Sequence, residues 1–218
     1  MYKHAFVNAT RELPVGKVVC VGRNYAEHAK ELNNPVPDAP ILFLKPSTAL
    51  QSLDIPVKWP TEFGSCHHEA EISVLIGKRA SKIDAAEAHS YIAGIGIGLD
   101  LTLRELQNQL KAKGHPWELA KAFDGSCPLG PFVDPGLFAD LGNLDLELRI
   151  NGSTRQKGNS SDMITSIPAL IAYTSRYFTM LPGDVIMTGT PAGVGPLNSG
   201  DQLSLLLDNR FEFAAQVA

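Results

Sequence analysis

Residues 66–77 read Cys66-His67-His68-Glu69-Ala70-Glu71-Ile72-Ser73-Val74-Leu75-Ile76-Gly77. From Glu69 onward the pattern has a period of two. Ala70, Ile72, Val74 and Ile76 fall on one face and Glu69 and Glu71 on the other, which predicts a strand. Two carboxylates about 7 Å apart along one strand, close to apolar neighbours, repel each other and resist losing water. A bound cation removes both penalties, although a solvated strand face would also carry such a pair.

The same period recurs in Ala93-Gly94-Ile95-Gly96-Ile97-Gly98-Leu99-Asp100. Ala93, Ile95, Ile97 and Leu99 share one face, and three glycines leading to Asp100 occupy the other. Strand glycines mark the close approach of a ligand or of another backbone. The expectation here is a bare floor ending in a carboxylate, with tight helix packing as the alternative. Further strands are predicted over 17–22, 41–45, 184–189 and 202–207. Another runs over 144–150, where Asn151-Gly152 favours a tight hairpin. Asn24 with Glu27 and Asp84 with Glu87 fit capping boxes opening two helices, the first reaching about Leu32. A third helix is expected over 102–113, and Ser166 can cap a fourth with Pro168 in its first turn. Strands do not alternate regularly with crossover helices. The predicted class is therefore α+β, a largely antiparallel sheet system with peripheral helices. No linker-like change in composition interrupts the chain, so a single domain over 1–218 is expected, with a short lead-in of about residues 1–16.

Glu69, Glu71 and Asp100 together would form an all-oxygen site suited to Mg2+ or Mn2+. His67 and His68 keep zinc as a rival, but no HxxxH or HExxH spacing supports it. His28 and Glu31 stand at i and i+3 on the first helix, where a carboxylate orients an imidazole as a general base. Lys45 and Lys121 lie in apolar surroundings at the ends of elements, which favours holding an anion. Arg104 and Gln107 share a helix face just after Asp100. The glycine-rich turn Thr188-Gly189-Thr190-Pro191-Ala192-Gly193-Val194-Gly195-Pro196 lacks the lysine of a P-loop. Its backbone N–H groups and the Thr190 hydroxyl could bind a carboxylate, or the turn could be structural.

Lys and Arg number 19 against 23 Asp and Glu, a net charge of −4 over 218 residues, which argues against nucleic-acid binding. Cys20, Cys66 and Cys127 are odd in number without CxxC spacing, as reduced cysteines in a cytoplasmic compartment would be. MYKHAFVNAT has no apolar signal core, and no run approaches the roughly 20 apolar residues of a membrane span.

Six stretches in order resemble the fumarylacetoacetate hydrolase family, in particular its short acylpyruvase-like branch. They are CVGRNYAEHAKE at 20–31, LFLKPSTA at 42–49, HHEAEISVLIG at 67–77, GLDLTLRELQ at 98–107, PWELAKAFDGSCP at 116–128 and PGDVIMTGTPAGVGP at 182–196. The resemblance implies a mixed β-sandwich roll, a homodimer, and Mg2+ or Mn2+ held by Glu69, Glu71 and Asp100. It implies a water-activating dyad of His28 and Glu31 and places Lys121 beside the metal carboxylates. Arg104, Gln107, Lys45 and Thr190 would line the pocket of a small anionic keto acid, and Gly22, Arg23 and Asn24 precede the dyad helix. The implied activity is hydrolysis of the C–C bond of a 3-acylpyruvate, such as acetylpyruvate or fumarylpyruvate, to pyruvate and a carboxylic acid. Oxaloacetate decarboxylation and isomerisation of unsaturated oxo-dioic acids are rivals that share the pocket. A non-catalytic metal- or keto-acid-binding module and a cysteine hydrolase using Cys127 are rivals of other classes.

Overall fold

The period-two runs do become strands. The computed structural model describes residues 2–218. In chain order the first strands are β1 (Val18–Gly22), β2 (Ile41–Lys45), β3 (Leu50–Ser52), β4 (Cys66–His68), β5 (Ala70–Ile76), β6 (Ile92–Leu99) and β7 (Thr102–Leu103). There follow β8 (Cys127–Leu129), β9 (Asp145–Ile150), β10 (Ser153–Asn159), β11 (Val185–Met187), β12 (Gly195–Pro196), β13 (Gln202–Leu207) and β14 (Phe211–Gln216). The α-helices are α1 (Ala26–Glu31), α2 (Arg104–Ala112), α3 (Glu118–Lys121) and α4 (Ile167–Tyr177).

Three sheets result. The largest has seven strands in the order β2-β1-β11-β5-β6-β8-β3; the others are β10-β9-β13-β14 and β12-β4-β7. Among the named strands of the described residues, only β1 with β11 and β3 with β8 pair in parallel, so the system is mixed and largely antiparallel. The large sheet has to curl. Its two edge strands, β2 and β3, are joined by residues 46–49 alone. That link spans at most about 18 Å, whereas a flat sheet of this strand number would be about 29 Å wide. The sheet accordingly closes into a half-barrel roll.

Alternation sorts the side chains of this roll. Val19, Ile72, Val74 and Ile97 face outward and pack with Leu146, Leu148 and Leu205 of the four-stranded sheet and with Leu170 and Ile171 of α4. Val18, Cys20, Leu75, Leu129, Phe132 and Met187 fill the inside. The glycine face of β6 turns inward, onto protein. A Cβ on Gly94 or Gly96 would lie 2.8 or 2.9 Å from Phe132, and one on Gly98 would lie 2.6 Å from the Pro128 carbonyl. The glycines admit β8 and Phe132 and form no bare floor. The lead-in packs on the same interior: Val7 N donates to Phe132 O at 2.8 Å, and His4 Nε2 meets Gly183 O at 2.9 Å.

Local differences from the sequence reading have physical causes. Asn24 does not cap α1: Tyr25 occupies the N-cap position without a side-chain bond, and the Asn24 amide instead joins Thr165 and Thr188 at 2.8–3.0 Å. Residues 85–91 form a 3-10 helix and not an α-helix, and the Asp84 side chain makes no cap bond. Ser166 does occupy the N-cap position of α4, again without a side-chain bond. Asn151 and Gly152 both have positive φ, the geometry of a tight hairpin turn. Asp208-Asn209 repeats that geometry and leads into β14, which the sequence reading omitted. No helix among the described residues is long and apolar enough to cross a membrane.

Candidate active site

Glu69 lies at the one-residue gap between β4 and β5, and Asp100 directly follows β6. The ladder continues across the gap, since Asp100 N donates to Glu69 O at 2.8 Å. Glu71 stands opposite Gly98, one step further in. Neighbouring antiparallel strands thus deliver three carboxylates to one end of the roll, each at most 5% exposed. One oxygen from each lies within 4.8 Å of the other two.

Three cations hold this cluster. Lys121 Nζ sits 2.7 Å from Glu69 Oε2 and 2.6 Å from Asp100 Oδ2. Arg104 pairs with Glu69 Oε1. Lys45 Nζ lies 2.9 Å from Asp100 Oδ1, but its hydrogen bonds go to the Lys121 carbonyl and to Ser126. Burial would raise the Glu69 pKa, yet Lys121 and then Arg104 outweigh it and hold the group well below the usual carboxylate range. Burial likewise opposes the Lys121 charge, and Asp100 and Glu69 reverse that and raise it. Glu71 has no cation of its own. Burial, then Asp100 and Glu69, push it well above the ordinary value, against a 2.7 Å hydrogen bond from Gly189 N.

These residues fit a divalent cation. The donor set is oxygen only, and Asp100 Oδ1 is buried without a hydrogen bond. A hard ion would give that oxygen, which meets only the Lys45 ammonium, a ligand role and would offset the unbalanced Glu71 charge. The zinc alternative loses its ligands, because His68 Nδ1 is bound to Gln156 Oε1 at 2.9 Å and neither His67 nor His68 belongs to the cluster. Cys127 is no nucleophile: its thiol is fully buried, and burial pushes its pKa up to about 12.

A narrow cleft opens above the carboxylates, lined also by Arg23, His28, Arg104, Gln107, Lys121 and Thr190. His28 Nδ1 lies 3.2 Å from Glu31 Oε2, and Glu31 Oε1 accepts from Gly193 N at 3.0 Å. Glu31 therefore both orients the imidazole and latches α1 to the glycine-rich turn. Arg104 Nη1 donates to Gln107 Oε1 at 2.7 Å. The Thr190 hydroxyl donates to Ala70 O at 2.8 Å, tying its turn to β5. Lys45 corrects an expectation: it does not line the pocket but lies fully buried beneath Asp100, because β2 curls back under the site.

Gln156 escaped the sequence reading. Its strand, STRQKGN, looks polar throughout, but a bulge between Thr154 and Gln156 turns this side chain inward to 1% exposure. Its Oε1 accepts from His68 Nδ1 and Ala70 N, and its Nε2 donates to Thr190 Oγ1 at 2.7 Å and Pro191 O at 2.9 Å. One amide thus fixes the backbone between Glu69 and Glu71 and the turn that supports Glu71. Asn34, Lys111 and Trp117 also line the cavity without having been singled out.

Comparison with known proteins agrees with this architecture. Residues 17–218 match the family model described as fumarylacetoacetate (FAA) hydrolase C-terminal. The chain belongs to the fumarylacetoacetate hydrolase family. Among curated members of that family, oxaloacetate tautomerase YcgM of Escherichia coli K12 is 50% identical over 95% of this chain and 96% of its own length. The mitochondrial oxaloacetate tautomerase FAHD1 of Bos taurus is 47% identical over 85% of this chain and 84% of its own. A crystal structure of Pseudomonas aeruginosa fumarylpyruvate hydrolase in complex with Mn2+ and pyruvate matches with a TM-score of 0.94 at 33% identity, covering 100% of this chain and 95% of that one.

Proposed function

We propose that this chain is a Mg2+- or Mn2+-dependent enzyme that interconverts the keto and enol forms of oxaloacetate. The observation that carries the reading is that His28, oriented by Glu31, opens onto the same cavity as Glu69, Glu71 and Asp100. Relatives at 47–50% identity named for that reaction support it. Glu69, Glu71 and Asp100 would hold the divalent ion, which would supply Lewis-acid catalysis at the oxo-acid end of the substrate.

The remaining chemistry belongs to the side chains. With Nδ1 committed to Glu31, His28 has Nε2 available to take a proton from C3 of the bound oxo acid. Tautomerisation returns that proton to the carbonyl oxygen, so no water is consumed. Lys121 and Arg104 hold Glu69 ionised, and Lys121 and Lys45 balance Asp100. Gln107 and Thr190 bound the substrate beside them, and Arg23 stands at the mouth. We further propose a homodimer of single catalytic domains in the cytoplasm, as the family resemblance implies; the three unpaired, buried cysteines suit a reducing compartment.

A second reading is hydrolysis of a 3-acylpyruvate, in which the His28–Glu31 pair activates water for attack on the distal carbonyl. The fumarylpyruvate hydrolase neighbour favours it. The test follows enol absorbance of oxaloacetate with Mg2+, alongside cleavage of acetylpyruvate and fumarylpyruvate. Enol decay faster than in buffer and abolished by EDTA is expected. Cleavage of an acylpyruvate without any effect on oxaloacetate would install the second reading. Mg2+ binding with no turnover at all would leave a binding module.

A further inference from the structure

We infer that Lys111, with Arg23, forms a subsite for a second carboxylate and makes the enzyme selective for 2-oxo dicarboxylates over 2-oxo monocarboxylates. This rests on the oxo-acid reading above and names the part of the substrate that it leaves open.

The argument is one of charge accounting around the cavity. Lys45, Lys121 and Arg104 are each matched to a carboxylate of the floor. Two further cations line the same cavity, Arg23 and Lys111, and among the described residues neither is in an ion pair. They converge on one neutral acceptor instead. Arg23 Nη2 donates to Asn34 Oδ1 at 3.0 Å, and Lys111 Nζ donates to the same oxygen at 3.2 Å. Two like charges held on a single amide oxygen repel, and half-burial strengthens the repulsion. Burial, then Arg23 and Arg104, accordingly lower the Lys111 pKa.

An anion between them removes that repulsion and gains charge-assisted hydrogen bonds from both. The position suits the far end of a substrate whose oxo-acid end rests on the floor. Lys111 projects from the last turn of α2, while Arg23, held at φ 58°, precedes the dyad helix. Lys111 also lines an adjoining cleft, with Glu31 and Arg104, so its ammonium stands where the site opens outward.

The test compares oxaloacetate with 2-oxobutanoate, which carries a methyl group where oxaloacetate has its second carboxylate. Binding to the Mg2+-loaded protein is read from the fluorescence of its two tryptophans, of which Trp117 lines the site, within the lifetime of oxaloacetate, so no turnover is needed. Lys111→Met is expected to weaken oxaloacetate about tenfold while 2-oxobutanoate changes by less than about twofold, the loss of one charged hydrogen bond. Lys111→Arg is expected to keep the preference. Equal weakening of both ligands, or an unchanged affinity for oxaloacetate, would overturn the subsite. A preserved preference in wild type without any tautomerisation would remove the functional reading and leave the subsite standing.

Discussion

The floor and the cover of the pocket are built on opposite principles. The floor carboxylates sit on paired strands in the middle of the roll, each nearly fully buried and two of them gripped by cations from β2, α2 and α3. The cover is a six-residue helix. It carries His28, bonded to Glu31, is latched by Glu31 to Gly193 N, and is anchored at its start by the Asn24 amide. A charge cluster of the first kind is costly to assemble and costly to break; a helix of the second kind is too short to be stable without its tertiary contacts. Binding needs fixed ligands, whereas proton transfer needs a group that can approach and withdraw. The two halves should therefore fail differently.

The largest difference is expected from Asp100→Asn. It removes an anionic ligand and leaves Lys45 without its charge partner, so calorimetric Mg2+ binding and turnover should both disappear. Retained Mg2+ affinity would break the comparison at its root. Next comes Lys45→Met, which never touches the pocket. Removing one partner of a fully buried pair costs about 3–5 kcal/mol, and urea unfolding should register it. A similar loss from Glu31→Gln would show that the cover is as strongly tied down as the floor.

His28→Ala should leave both Mg2+ affinity and stability close to wild type while slowing tautomerisation on the order of 10^2–10^3-fold, the usual share of a general base. Any oxaloacetate decarboxylation should survive that change, because CO2 departs without a base. Glu31→Gln keeps an acceptor for Gly193 N but loses the charge behind the imidazole. Its cost in turnover should be about tenfold, the lower end of the range seen when the carboxylate behind a working histidine is removed.

The same division explains what could be read from the chain alone. The floor is legible because a strand's side-chain period fixes which residues share a face, which pairs Glu69 with Glu71 from sequence alone. Asp100 followed from the next period-two run. The support beneath it was not legible, because Lys45 meets Lys121 and Ser126 only through closure of the roll, 76 and 81 residues away. Gln156 was hidden by its bulge, which breaks the alternation that would have turned it outward. The glycines of β6 do mark a close approach, but the expected bare floor is filled by Phe132 and β8, neighbours that local sequence does not name. In the cover, the HxxE spacing was visible, while Asn24 was assigned the local cap and in fact bonds residues 141 and 164 positions away.

The smallest effect concerns the far side of the roll, where neither floor nor cover is involved. His4 is buried against Phe132 and donates from Nε2 to Gly183 O. Burial lowers its pKa, and the Gly183 carbonyl only partly offsets this. The unfolded chain then binds a proton at about pH 6.5 that the folded one refuses until lower pH. Stability should fall as pH drops from about 6.5 toward the lower folded value, and rise again with pH above it. His4→Gln should flatten that acid limb in thermal melts between pH 5 and 7. It should leave the pH profile of tautomerisation unchanged, because the groups that titrate there lie at the other end of the roll. If the activity profile moved with the melting profile, the site and its scaffold would be coupled through the roll interior, and the separation of floor from cover would no longer be the relevant one.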